Sequence, residues 1–210
     1  MLLNRVEFAL MNNPVRVAIQ RHFEAGRLLA MGGAVPGAAA LEVGCGRGVG
    51  VELVLDRFGA ARVDAFDLDP KMVSLARERL ARRGERVRLW VGDATRIPAP
   101  DASYDAVFDF GIVHHVPDWR AALREIHRVL KPGGRFFAEE VFERFLSHPL
   151  WRRLLEHPRE DRFDMARFRA GLEAAGFAVC ATRSLGSGFG WFVADRAAGA
   201  PAAPAQRGLS

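Results

Sequence analysis

The chain has 210 residues, half of them hydrophobic, which is enough to bury a sizeable core in one domain. Its 30 Lys and Arg against 25 Asp and Glu leave a formal net charge of +5. The cations are nearly all arginines scattered among acids, as in "RERLARRGERVR" (Arg77 to Arg88). The absence of a like-charge block argues against a nucleic-acid surface and for a mixed, solvated one.

Residues 1–31 read as an N-terminal cap of one or two helices, with Pro14 opening the second and Val15, Ile19, His22, Phe23 and Leu29 roughly on one face. "AALEV" (39–43) reads as a first strand, followed by a helix from about Gly48 to Phe58. "RVDAFDL" (62–68) is a second strand. The next helix opens at Asp69-Pro70, an acidic cap followed by proline at the first helical position, and runs to about Arg83, where Gly84 ends it. "VRLWV" (87–91) and "YDAVFDF" (104–110) are the third and fourth strands. Between Asp118 and Leu130, Trp119, Leu123, Ile126, Val129 and Leu130 recur at helical spacing. "KPGG" (131–134) turns into a fifth strand, "RFFAEEV" (135–141). An aromatic and basic insertion, 142–160, follows, then a helix from Asp164 to Ala175 ended by Gly176. "FAVCATR" (177–183) and "GWFVAD" (190–195) pair as a terminal antiparallel hairpin, and 197–210 is expected to be a disordered tail. Strands separated by helices imply parallel βαβ units, hence an α/β, Rossmann-like, doubly wound sheet in a single domain over 1–196.

No apolar stretch of about 18 residues is present, so no membrane-spanning helix is expected. The N-terminal "MLLNRVEFALMNNP" carries Arg5 and Glu7 within its apolar part and lacks a signal cleavage site. Cys45 and Cys180 are too far apart in sequence to form a disulfide framework or a metal motif. The expectation is a reduced, cytoplasmic protein with no metal.

"LEVGCGRGVG" (Leu41 to Gly50) places a glycine-rich turn behind the first strand, where a doubly wound sheet binds its ligand. A P-loop needs a lysine after the glycines, and there is none. The dinucleotide fingerprint G-x-G-x-x-G is met at Gly44 and Gly46, but Val49 stands at the third glycine's place, and the spacing is G-x-G-x-G through Gly48. Glu42, at the strand end, would repel a pyrophosphate and suits an ammonium group. Asp67, 23 residues beyond Gly44, ends the second strand where a carboxylate accepts from ribose hydroxyls. Asp93 ends the third strand and suits an exocyclic amine. Together these acids describe a ligand with an amine, a ribose and an adenine and no phosphate.

The pattern over about 38–141 resembles class I S-adenosylmethionine-dependent methyltransferases of the small-molecule group that includes the quinone-biosynthesis enzymes. "LEVGCGRG" resembles the family's first motif, "FDLDPKMV" its ribose segment, "GDAT" its adenine segment, and "YDAVFDFGIVHHVPDWRAALREIHRVLKPGG" its fourth-strand region. The resemblance implies a mostly parallel seven-stranded sheet. It makes S-adenosyl-L-methionine the cofactor, held by Glu42, Gly44, Cys45, Gly46 and Gly48, by Asp67 and Leu68, by Gly92, Asp93 and Ala94, and by Asp109 and Phe110. Gly48 and Gly50 also read as packing glycines, Asp69 as a helix cap, Cys45 as a small residue whose backbone lines the pocket, and Asp105 as structural.

Methyl transfer from a sulfonium needs alignment above all, and a base only if the acceptor must lose a proton. His115 and His114, after the fourth strand, are the candidate bases, with His148 and His157 in the insertion as further acceptor-side residues. Nucleic-acid amino-methylating enzymes of this fold carry an Asn/Asp-Pro-Pro-aromatic run where this chain has "DFGIVHHV", which favours a small-molecule acceptor. Residues 142–160 read either as an apolar acceptor pocket, through Phe142, Phe145, Leu146, Leu150 and Trp151, or as an amphipathic lid. The competing readings are a peripheral-membrane enzyme acting on a phospholipid headgroup or quinone, an NAD(P) oxidoreductase, and a cofactor-binding protein without transfer activity.

Overall fold

The structure, a computed structural model, describes residues 13–143 and 161–198. The first part of the expected N-terminal cap, nearly all of the insertion with His148 and His157, and most of the tail lie outside the described residues. In chain order the elements are α1 (Pro14–Ile19), a π turn (Gln20–Glu24), α2 (Ala25–Gly32), β1 (Ala39–Val43), α3 (Val49–Asp56), β2 (Arg62–Asp67) and α4 (Pro70–Leu80). Then come a 3-10 turn (Ala81–Arg86), β3 (Val87–Val91), β4 (Tyr104–Phe110), a second 3-10 turn (Val113–His115), α5 (Trp119–Val129), β5 (Leu130–Val141), α6 (Met165–Ala174), β6 (Phe177–Leu185) and β7 (Phe189–Arg196).

Acidic or amide caps open α1, α4, α5 and α6 as their sequences require. Asn13 Oδ1 accepts from Arg16 N at 2.9 Å, Asp69 Oδ1 from Lys71 N at 2.8 Å, Asp118 Oδ1 from Ala121 N at 2.9 Å and Asp164 Oδ1 from Arg167 N at 2.8 Å. Among the described residues the strands form one seven-stranded sheet in the order β3-β2-β1-β4-β5-β7-β6. β1 pairs in parallel with both β2 and β4, β3 with β2, and β5 with β4, while β7 runs antiparallel to β5 and β6. The chain thus steps outward from β1 in one direction and returns to build β4 and β5 on the other side. That reversal opens a crevice at the carboxyl ends of β1 and β4.

Apolar layers cover both faces. Trp119, Leu123 and Ile126 of α5 and Phe168 of α6 pack on Phe136 and Phe192, while Leu28, Val51 and Phe58 pack on Phe108 and Phe137 of the opposite face. Central strands covered on both sides read as continuous apolar runs. β5 breaks that rule with Glu139 and Glu140, both buried. As neighbours in a strand they point to opposite faces.

Two expectations change in detail. The "KPGG" turn lies inside β5, which already pairs at Leu130 and slips register before Arg135. On the N-terminal helices, Val15 (68% exposed), Ile19 (44%) and Phe23 (41%) face outward, and Glu24, Ala25 and Leu28 are turned inward. The π turn explains the shift: Ala25 N–H bonds to Gln20 O, one residue further than in an α-helix, so the inward face moves from one set of residues to the next.

Candidate functional site

The glycine turn leaves β1 and is tied at once to β2. Cys45 N–H donates to Phe66 O at 2.8 Å, and Gly46 N–H donates to Asp67 Oδ2 at 2.9 Å. Asp67 Oδ1 accepts from Asp69 N at 2.9 Å, so one carboxylate fixes both the turn and the start of α4. Gly44 and Gly46 have φ of +72° and +48°, conformations that L side chains rarely adopt. They differ in what surrounds them. A Cβ on Gly44 would fall 2.4 Å from Ile112, whereas a Cβ on Gly46 would meet nothing within 4 Å. Gly46 presents bare backbone to the open crevice.

Residues from seven segments line that crevice. From the glycine turn come Val43, Gly44, Cys45 and Gly46; from the end of β2, Asp67, Leu68 and Asp69; from the end of β3, Gly92, Asp93 and Ala94. Met72 of α4, Phe110 to Ile112 at the end of β4, and His115 to Pro117 close one side, and Arg16, Val17 and Gln20 of the N-terminal helices reach over from the other. Asp93 is exposed, and its Oδ1 accepts from both Thr95 N (2.8 Å) and Thr95 Oγ1 (2.9 Å).

Glu42 lies behind the turn and is 1% exposed. A Cβ on Gly50 would come within 1.9 Å of Glu42 Oε1, so the glycine at the start of α3 is the space the carboxylate occupies. Among the described residues Glu42 Oε2 has no hydrogen-bond partner. Burial, and then repulsion from Asp67 and Asp109, push the Glu42 carboxyl well above the usual carboxylate range. Burial also raises Asp67, and it raises the Cys45 thiol far beyond any reactive range.

Glu42 lies behind the crevice without lining it, and three further residues expected at the cofactor or the reacting groups sit elsewhere. Gly48 caps α3 against Leu80, 2.7 Å from where its Cβ would be. Asp109 points to the other face of the sheet, toward Glu140. Its Oδ1 accepts from Ile112 N at 2.8 Å, and burial and the neighbouring Glu140 push its carboxyl well above the usual carboxylate range. His114 is buried behind the cleft wall, its Nδ1 2.6 Å from Glu140 Oε2. Burial pushes the imidazole down to about 3, so it stands neutral, sharing a hydrogen bond between Nδ1 and the Glu140 carboxyl group. His115 alone of the pair lines the cleft. Asp69 caps α4 as expected and lines the cleft as well, and Asp105 is structural, accepting from Ala39 N at 2.9 Å and pairing with Lys131 at 2.7 Å. No metal-binding cluster occurs among the described residues.

Sequence reasoning missed the N-terminal contribution. Arg16 forms an ion pair with Glu24 and lies 3.8 Å from Glu139, which also accepts from Trp191 Nε1 at 3.3 Å. Asn13-Pro14 marks where that helix starts, but nothing in its pattern says that it crosses the mouth of the crevice. Glu139 and Glu140 were legible only as anomalies, paired acids in an otherwise apolar strand.

Residues 41–138 match the methyltransferase domain family. Malonyl-[acyl-carrier protein] O-methyltransferase from Serratia marcescens is 40% identical over 108 residues, 51% of this chain and 40% of that protein. Ubiquinone/menaquinone biosynthesis C-methyltransferase from Caulobacter vibrioides is 48% identical over 92 residues, 43% of this chain and 34% of that protein. The chain therefore spans less than half the length of these relatives. Among solved structures, an S-adenosylmethionine-dependent methyltransferase from Aquifex aeolicus superposes with a TM-score of 0.72 at 21% identity, covering 92% of this chain and 98% of that one. At that identity the likeness speaks for the fold, while the sequence matches speak for the family. Residues 41–138 thus match the methyltransferase domain family, in a chain whose sheet shares the fold of S-adenosylmethionine-dependent methyltransferases.

Proposed function

We propose that this domain transfers the methyl group of S-adenosyl-L-methionine to a small-molecule acceptor and releases S-adenosylhomocysteine. The observation that carries the proposal is Glu42 Oε2, a buried carboxylate oxygen without a partner behind a glycine turn whose Gly46 is open to the crevice. A buried, unpaired acid is costly unless a ligand answers it, and a cationic amino group is the complementary charge. Asp67 receives one backbone N–H at each oxygen and keeps acceptor capacity for a ribose diol. Phe66, Met72 and Ala94 offer apolar walls beside Asp93, fitting an adenine ring and its exocyclic amine. When bound, the cofactor supplies the electrophilic methyl group, and the protein's task is alignment, with an effective barrier reduction of about 7–11 kcal/mol available from positioning. His115 stands at the cleft wall where it would meet an acceptor, and a base there matters only if the methylated atom carries a proton.

Calorimetry separates this reading from the dinucleotide one. S-adenosylhomocysteine is expected to bind the chain as a one-site ligand and NAD is expected not to bind. NAD binding alone overturns the proposal.

A lipid-soluble acceptor, such as a quinone or a lipid headgroup, is the second reading. It is supported by the outward-facing Val15, Ile19 and Phe23 on the helices whose other side reaches the cleft. The same reading draws on a quinone-acting relative. Cosedimentation with anionic liposomes is the expected result under this reading, reduced by Phe23→Ser. A chain that stays in the supernatant at low salt leaves the water-soluble acceptor.

A further inference from the structure

We infer that Glu140 is the positioning residue of the acceptor-side wall: its carboxylate gathers the 112–115 turn and sets His115 against the cleft. The inference rests on the reading of this cleft as the S-adenosylmethionine site, and it concerns a residue that does not line it. Glu140 is fully buried near the end of β5. Its Oε1 accepts from Val113 N at 3.0 Å, and its Oε2 accepts from His114 N at 3.2 Å and stands 2.6 Å from His114 Nδ1. Successive backbone donors and the ring of one turn thus converge on a single carboxylate carried by a different strand. Asp109 adjoins it from β4 and at the same time accepts from Ile112 N, so the turn is held at each residue from Ile112 to His114.

The consequence reaches the cleft through ring contact. The His114 and His115 ring centroids are 4.2 Å apart, so the orientation Glu140 imposes on His114 limits where the His115 ring can lie. Ile112, Val116 and Pro117, on either side of the turn, line the cleft themselves. A carboxylate buried this deeply is expensive, and burial lifts it to about 7. An apolar residue would fill the same space at lower cost but would leave the turn's N–H groups without an acceptor. The charged groups that bear on this cluster are Asp109 from β4, Arg16 from the N-terminal helices, and Arg162.

The test compares wild type, Glu140→Gln and Asp105→Asn. Asp105 is a carboxylate at the amino end of β4, where it serves Ala39 N and Lys131 and does not approach the turn. Histidine-labelled protein read by long-range nitrogen–proton NMR is expected to show His114 as the Nδ1–H tautomer in wild type and in Asp105→Asn. In Glu140→Gln, which loses the carboxylate partner, a tautomer mixture and a shifted His115 ring are expected. Titration with S-adenosylhomocysteine is expected to weaken about tenfold in Glu140→Gln and less than about twofold in Asp105→Asn. An unchanged His114 tautomer together with unchanged affinity in Glu140→Gln overturns the inference, as does an equal loss in both variants. Failure of wild type to bind S-adenosylhomocysteine overturns the cofactor reading instead, and the tautomer measurement then still decides the role of Glu140.

Discussion

Glu42→Gln is expected to make the ligand-free chain more stable and a poorer binder of the methyl donor. The wild-type carboxyl is buried beneath the glycine turn, raised by desolvation and by Asp67 and Asp109, and carries an oxygen with no partner among the described residues. Its folded-state pKa lies above the unfolded value of 4.5. The stability tied to this group is therefore fully present below pH 4.5 and is lost as pH rises toward the raised folded value. An amide of the same shape does not ionise, so the variant escapes that loss. At pH 8 the unfolding free energy of Glu42→Gln should exceed wild type by about 1–3 kcal/mol, and the two should converge near pH 4, as read by urea titration across pH. The opposite sign is expected for the ligand. Removing the charge that faces an ammonium group should cost about 1.5–3 kcal/mol of S-adenosylmethionine affinity. A variant that is stabilised yet binds the donor as tightly as wild type rules out Glu42 as the counter-charge.

Asp67→Ala carries the second large effect. It strands a ribose hydroxyl pair in the proposed complex, worth about 1–3 kcal/mol of S-adenosylhomocysteine affinity. The structure adds a cost in the free protein, because Gly46 N and Asp69 N lose the acceptors now at 2.9 Å. Hydrogen exchange at those two amides should accelerate in the ligand-free variant, whereas Asp93→Ala, on a different loop, should leave them protected. Unchanged calorimetric affinity removes Asp67 from the ribose role.

What the sequence made legible follows the strength of local physics. β1, β3 and β4 begin and end where their apolar runs do, the Asp69-Pro70 cap starts its helix as read, and the helix after Asp118 begins where its apolar spacing does, because those signals act within a few residues. The acids at the strand ends were equally readable, since a parallel sheet with alternating helices puts every carboxyl end on one edge. The side to which a strand-end acid points was harder to read. Asp109 and Glu140 are neighbours only because β4 and β5 pair with Asp109 opposite Ala138 and Phe110 opposite Glu139, a register that no short motif encodes. The outward turn of Val15, Ile19 and Phe23 depends on one π turn, and a pattern built on 3.6 residues per turn cannot register an added residue. His114 and His115 look interchangeable in "HHVPDW", yet a tight 3-10 turn sends one ring to Glu140 and the other to the cleft.

The meeting of Gly44 and Ile112 has a bearing on how such a domain can be rebuilt. Because the glycine leaves room for the isoleucine side chain, the turn after β1 and the turn after β4 are joined by apolar packing before any ligand arrives. The donor half is preorganised, and little ordering remains to be done when it fills. The N-terminal helices lie at the rim of this unit and take no part in that joint. They are the natural places to graft a different acceptor pocket, and the Gly44–Ile112 joint is the seam such a chimera should leave uncut.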